Sequence, residues 1–265
     1  MEIETSPSLQ ALRNLLSSED LENIPADLNL DEYLMRFLKF KGDPQRAYET
    51  LVKYHKFRNS DKTMFSKMCP NAMKHLIDAK IITKLPGKDV RGNPVILVCC
   101  KRWNEKEVSA EDIILLVILF LEEIIRTHGS KVSVVIDWEG YGLSKYRQLT
   151  YRNLMRSFEL ARGTFPISYK AIHQVNQTPT FWLVSKILFS FFSTKLKKRM
   201  HLHGNDKESL AAHIPVSSLP TDYGGNSEEY TDAAFTDTLY KNDEYYSLLS
   251  KHLMRNSDET EVFVS

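Results

Sequence analysis

Three successive stretches of this chain are apolar on every side, and their order is the strongest constraint on its fold. "VILVCCKRW" (95–103) follows the turn residues "GKDVRGNP" and shows no alternation, as a strand does when both its faces are covered. "IILLVILFL" (113–121) is apolar around its whole circumference, and Ser109 and Asp112 ahead of it have capping-box spacing, which marks a buried helix. "KVSVVIDWEG" (131–140) is again a strand with two buried faces. A helix through "NLMRSFELARG", closed by Gly163, then leads into a third strand, "ISYKAIHQVN" (167–176). Strands alternating with helices predict an α/β fold with a mostly parallel sheet flanked by helices.

The first 80 residues carry no strand pattern. "SLQALRNLLSS" (8–18) is amphipathic, "LDEYLMRFLKFKG" (30–42) ends at Gly42, and Pro44 suits the first turn of a helix that follows. Residues 64–78 are helical in pattern but interrupted by Pro70. The expected organisation is an all-helical domain over 1–80, an α/β domain over 81–225 and an acidic tail over 226–265. "HIPVSSLPTDYGG" (213–225) is expected to close the middle domain as a short strand and turn. The tail shows a helical pattern only in "EYYSLLSKHLM" (244–254).

Enzyme chemistry finds little support. Gly140 and Gly142 begin a G-x-G-x-x-G, but Lys145 stands where the third glycine belongs. There is no G-x-S-x-G elbow and no P-loop. Asp137 and Glu139 are better read as a strand-end brace and a solvated carboxylate than as an acid–base pair. His201 and His203, read as lying near a helix end before Gly204, diverge on a helix and lack a third metal ligand, so no metal and no cofactor is expected. Cys69, Cys99 and Cys100 are odd in number, which speaks for reduced thiols in a cytoplasmic setting. The acidic, polar start "MEIETSPSLQ" is not a secretory signal, and neither myristoylation nor prenylation is signalled.

A further run, "FWLVSKILFSFFSTKLKKRMHLHG" (181–204), is about a dozen apolar residues long, where a spanning helix needs roughly 20. It empties into Lys195, Lys197, Lys198 and Arg199. The net charge is +1, with no nucleic-acid signature overall, yet residues 160–205 hold seven Lys/Arg and no acid, while 206 onward holds twelve acids against four Lys/Arg. Such a block in a neutral chain suits one docking face for an anionic surface. The two apolar runs, 113–121 and 181–192, either bury each other in an ordinary core or line a cavity.

"YLMRFLKFKGDPQRAYETLVKYHKFR", "VVIDWEGYG", "TKLKKRMHLHGN" and "LPTDYGG", in this order over roughly residues 30–225, resemble the CRAL-TRIO family of lipid-binding proteins, its tocopherol and retinaldehyde carriers in particular. The resemblance implies an α/β lipid-binding bowl behind an all-helical N-terminal domain, closed by a mobile helical gate at 178–199. It implies a pocket wall from Ile114, Ile118, Ile136, Leu160, Phe165, Ile167 and Ile172, with Phe181, Val184, Leu188 and Phe192 on the gate. It further implies a basic cleft for phosphatidylinositol phosphates at Lys41, Lys195 and Arg199, with Lys198 sharing the helix face of the last two at i, i+3. Thr50 and Ser168 depart from that pattern, standing where the tocopherol carrier has basic residues. Ile114 and Ile118 replace two serines near that carrier's ligand, which moves the expected cargo towards a retinoid, carotenoid, other isoprenoid or acyl lipid. Tyr141, Tyr151 and Ser157 are the remaining polar handles.

The leading expectation is a monomeric, non-enzymatic cytoplasmic carrier that touches membranes transiently. A lipid-dependent adaptor using the acidic segment as its partner contact is the alternative, and an enzyme centred on Asp137 is the third reading.

Overall fold

A computed structural model of the protein describes residues 6–261; the side chains of residues 184, 188, 191 and 254–261 lie outside the described part. Five strands form one sheet in the order β1 (Ile82–Lys88), β2 (Pro94–Cys99), β3 (Lys131–Asp137), β4 (Ser168–Val175), β5 (Met200–Gly204). β1 is antiparallel to β2 and every other pair is parallel, as crossovers through helices require. The α/β architecture read from the sequence is the one found.

Two strands differ from the expectations. β1 was not anticipated, because "ITKLPGK" hides its strand character behind Lys84, Pro86 and Gly87. Lys84 is nevertheless buried, its ammonium 2.5 Å from Asp232. The closing strand is β5, not residues 213–225, which form turns. "MHLHG" reads as polar, but His203 is buried in the fold. In the "LPTDYGG" turn a Cβ on Gly225 would collide with the Leu219 carbonyl, so only glycine fits there.

Side chains alternate across the sheet. Val95, Leu97, Val135 and Val175 pack behind it with Leu210, Ile214, Leu219 and Tyr223, while Ile96, Val134 and Ile136 face the front. Burial on both faces is the reason these strands lack a polar stripe. A bulge interrupts the β3–β4 ladder: Val132 pairs with Tyr169 and Ser133 with Ala171, leaving Lys170 as the extra residue.

The front is covered by a wall helix, Ala110–Thr127, started by the Ser109/Asp112 capping box. Its outer side meets the N-terminal helices Leu30–Lys41 and Pro44–Asn59, whose Leu34, Phe37, Leu51 and Tyr54 are almost completely buried. Charges cross this seam: Arg36 bonds Glu122 at 2.9 Å, and Tyr54 donates to the same carboxylate. The expected acidic tail is not a tail. Helices Ala233–Lys241 and Asp243–Glu261 bury Phe235, Leu239, Tyr246, Leu249 and Leu253. Tyr246 donates to Glu123 at 2.8 Å and Arg36 to the Tyr245 hydroxyl at 3.0 Å. The apolar positions within "EYYSLLSKHL" outweigh the acidic average of the segment.

Candidate functional site

Between the sheet front and the wall helix lies an apolar cavity of about 290 Å³, at the small end of the roughly 300–1,000 Å³ of ligand pockets. Its floor is Ile96, Val98, Val134, Ile136 and Ile172 from the strands. Its wall is Ala110, Ile113, Ile114, Val117 and Leu121, and the Tyr151–Ala161 helix adds Asn153, Ser157 and Leu160. The two apolar runs therefore do not simply bury each other: one lines a space.

Four expected wall residues, Ile114, Ile136, Leu160 and Ile172, line this cavity. Ile118 does not, although it is fully buried. At about 100° per residue the cavity-lining stripe covers roughly a quarter of the wall helix, and Ile118 falls beyond its edge. Phe165 packs edge-on against Tyr54 (5.3 Å) and Phe57 (5.9 Å) in the seam with the N-terminal helices, and Ile167 is part of the same core.

The gate segment is two helices rather than one. Pro179–Phe191 starts at the Thr178 cap and breaks at Phe192, after which Ser193 caps a single turn, Thr194–Lys197. Thr178 also donates to the Tyr141 carbonyl at 3.0 Å, tying the gate to the cavity rim. Phe181 is buried against Trp138, a cavity-lining ring, at 5.0 Å in an edge-to-face arrangement, so it stands one layer behind the cavity. Phe192 is half-buried beside Phe189 (6.0 Å). The Val184 and Leu188 side chains lie outside the described residues. On the opposite side of the helix Trp182, Leu183 and Ile187 face solvent at 51%, 49% and 36% exposure, more apolar surface than a solvated helix needs.

Beyond the gate the cations gather. Lys41 is depressed by burial and by Arg46 and Lys53, with Lys195 contributing. Lys170 is depressed by burial and then by Arg199, Lys131, Lys195 and Arg91. None of Lys41, Lys170, Lys195, Lys198 and Arg199 has a carboxylate partner among the described residues. Lys195 and Arg199 do not share a helix face, because the helix stops at Lys197 and Arg199 leads into β5. Arg199 is instead fixed to the Tyr169 carbonyl at 2.6 Å and to Ser168 Oγ at 3.4 Å. Thr50 is buried, with its hydroxyl on the Arg46 carbonyl, and so offers nothing to the patch. Lys170, at the bulge, is a member that reading by strand alternation misses.

Of the other candidates, Asp137 and the histidines lie behind the sheet, Tyr151 lies outside the cavity, and Ser157 lines it. Asp137 accepts from Tyr223 (2.7 Å), Asn176 (2.9 Å) and the Glu139 amide (3.0 Å), a strand-end brace away from the cavity. His201 and His203 are on a strand, where i, i+2 side chains share a face, and they stack with His173 and His213. No such group among the described residues is arranged to hold a metal ion. Tyr151 is 80% exposed and points away, and Ser157 spends its hydroxyl on the Asn153 carbonyl. No described helix is long and apolar enough to cross a membrane.

The CRAL/TRIO domain model matches residues 78–225. The human alpha-tocopherol transfer protein-like is 32% identical over 235 residues, covering 87% of this chain and 68% of that protein. The mouse protein of the same name is 32% identical over 240 residues, covering 89% and 69%. Rat clavesin-1 is 26% identical over 243 residues, covering 85% and 68%. The crystal structure of Sfh5 superposes with a TM-score of 0.49 at 13% identity, over 84% of this chain and 77% of that one.

Proposed function

This chain belongs to the CRAL-TRIO family, and from that premise we propose that it is a cytoplasmic carrier of a small hydrophobic molecule, exchanged at membrane surfaces. The observation that carries the proposal is the apolar cavity whose rim is tied to a helix exposing Trp182, Leu183 and Ile187 on its outer side. The cargo is a retinoid, carotenoid, tocopherol-like isoprenoid or acyl lipid. The chain acts as a monomer and by binding alone; no covalent step and no nucleic acid is involved.

The exchange follows from solvation. Burying ~400 Å² of apolar cargo is worth about 10 kcal/mol, so release into water is slow. At a bilayer the cargo passes between two apolar media and that barrier falls away. Lys41, Lys170, Lys195 and Arg199 hold the gate against anionic headgroups, phosphatidylinositol phosphates among them, at ~1 kcal/mol per cation near the surface. Lys198, exposed at the end of the one-turn helix, adds to the same field. Phe181 leaves Trp138, the Pro179–Phe191 helix swings out, and its apolar outer side meets the bilayer. For the adaptor alternative, the acidic segment offers exposed Glu228, Glu229, Asp237 and Glu244, while Phe235, Leu239, Tyr246, Leu249 and Leu253 hold it against the core.

Transfer of a fluorescent retinoid between vesicles tests the reading. Lys170→Ala with Lys195→Ala is expected to slow transfer to anionic vesicles by about thirtyfold in low salt, two cations at ~1 kcal/mol each, with retinoid affinity unchanged. Equal transfer by variant and parent at every salt concentration would overturn docking at this face. Absence of any extractable hydrophobic cargo from the native protein would overturn the carrier reading itself.

A further inference from the structure

The cavity has two polar points that the fold leaves unused. Tyr141 and Tyr169 both line it, and neither hydroxyl has a hydrogen-bond partner among the described residues. Each hydroxyl is free to bond a molecule that enters the cavity. The two stand at opposite ends. Tyr169 pairs with Val132 at the start of β3, whereas Tyr141 follows Asp137 at its end, and β3 itself spans about 16 Å from Val132 to Asp137, five residues at ~3.3 Å each. Tyr169 reaches the front only because the bulge at Lys170 resets the alternation of β4.

The ends differ in charge. Lys145 also lines the cavity and is itself buried. Its ammonium donates to the carbonyls of Cys100 (3.0 Å) and Gly140 (2.7 Å) and stands 6.0 Å from the Trp103 ring. Tyr141 is 6.3 Å from that same ring. Three donors are available on an ammonium, and the two carbonyls take two. The closest carboxylate is Glu105 at 3.9 Å, and it is more exposed, at 25% against 8% for the Lys145 side chain. The cation is therefore deeper than its counter-charge, an arrangement that a second anion brought into the cavity relieves.

We propose that the cargo of this cavity is a carboxylic acid, an apolar chain whose carboxylate takes a proton donor each from Lys145 and Tyr141 while its tail runs toward Tyr169. The proposal rests on the carrier reading and names its ligand class. The carboxylate fills the two vacant donor directions with its two oxygens. An alcohol of the same chain satisfies one, and a hydrocarbon neither.

Equilibrium dialysis of the full chain against radiolabelled hexadecanoate and hexadecanol, and against retinoate and retinol, separates the outcomes. On whichever scaffold binds, the acid is expected to bind at least about tenfold more tightly than the alcohol. Lys145→Met should abolish that preference. Should that variant fail to fold, because two carbonyls lose their donor, Tyr141→Phe disturbs no hydrogen bond of the fold and should cut the acid preference several-fold. Tyr169→Phe, at the far end, should leave the preference intact. Acid and alcohol bound equally, or a preference lost with Tyr169→Phe alone, would overturn the carboxylate head and leave the carrier standing. Binding of none of the four would overturn the carboxylate head, and, with no hydrophobic cargo extractable from the native protein, the carrier reading as well.

Discussion

Phe181 makes the gate quantitative. Its ring is 1% exposed and packs edge-to-face on Trp138 at 5.0 Å. Burying a phenylalanine ring is worth about 1.5–3 kcal/mol, and an aromatic pair adds ~0.5–1.5 kcal/mol. Phe181→Ala thus removes about 2–4 kcal/mol from the closed gate, which multiplies its open population by roughly thirtyfold to a thousandfold. Trp182, Leu183 and Ile187 already face outward and lose nothing when the helix swings away. Two assays read this. Vesicle-to-vesicle transfer should accelerate, and the amides of the Pro179–Phe191 helix should lose hydrogen-exchange protection while those of β2 and β3 keep theirs. If transfer is unchanged and protection drops evenly across the sheet, Phe181 is an ordinary core residue and the gate argument is wrong.

Two other outcomes concern stability. His173 is depressed to about 3 and His203 to about 4 by burial and by neighbouring histidines, with Asp89 and Asp206 the opposing charges; His55, also about 3, is depressed by burial and then by Arg58. Each is neutral in the fold and takes up its proton on unfolding, so stability is full above the ordinary value of 6.5 and is lost as the pH falls toward 4. Urea midpoints measured across that window should decline, and less steeply for His173→Gln; a flat profile would refute the assignment. Glu122→Ala leaves Arg36 buried without its partner at 2.9 Å and should cost about 3–5 kcal/mol in denaturant unfolding, with a loss under about 1 kcal/mol counting against the network.

What the sequence reveals here follows from what its side chains must avoid. The strands at 95, 131 and 167 and the wall helix are legible because residues apolar on every face leave no alternative to a doubly covered sheet. β1 and β5 are not, because their polar residues are satisfied at long range: Lys84 by Asp232, and His203 by His173 (2.9 Å) and Ser209 (2.7 Å). Of the wall residues that the family resemblance implies on the wall helix, Ile114 lines the cavity and Ile118 falls one step past its edge. Tyr169 is hidden by a bulge that strand alternation cannot foresee. Lys145, noted in the sequence only as a failed glycine, acquires meaning once the Cys100 carbonyl is seen to approach it.

The seam around the wall helix has a consequence for how the chain is made. Arg36 must find Glu122, 86 residues later, and Glu123 must find Tyr246, 123 residues later again. At roughly 5–20 residues per second on the ribosome, Glu123 is synthesised about 6–25 seconds before the phenol that will neutralise its isolation. Throughout that interval the wall helix has one flank covered by the N-terminal helices and the other bare. After the sheet is complete, that flank of the nascent protein therefore stays open to aggregation until the Asp243–Glu261 helix emerges.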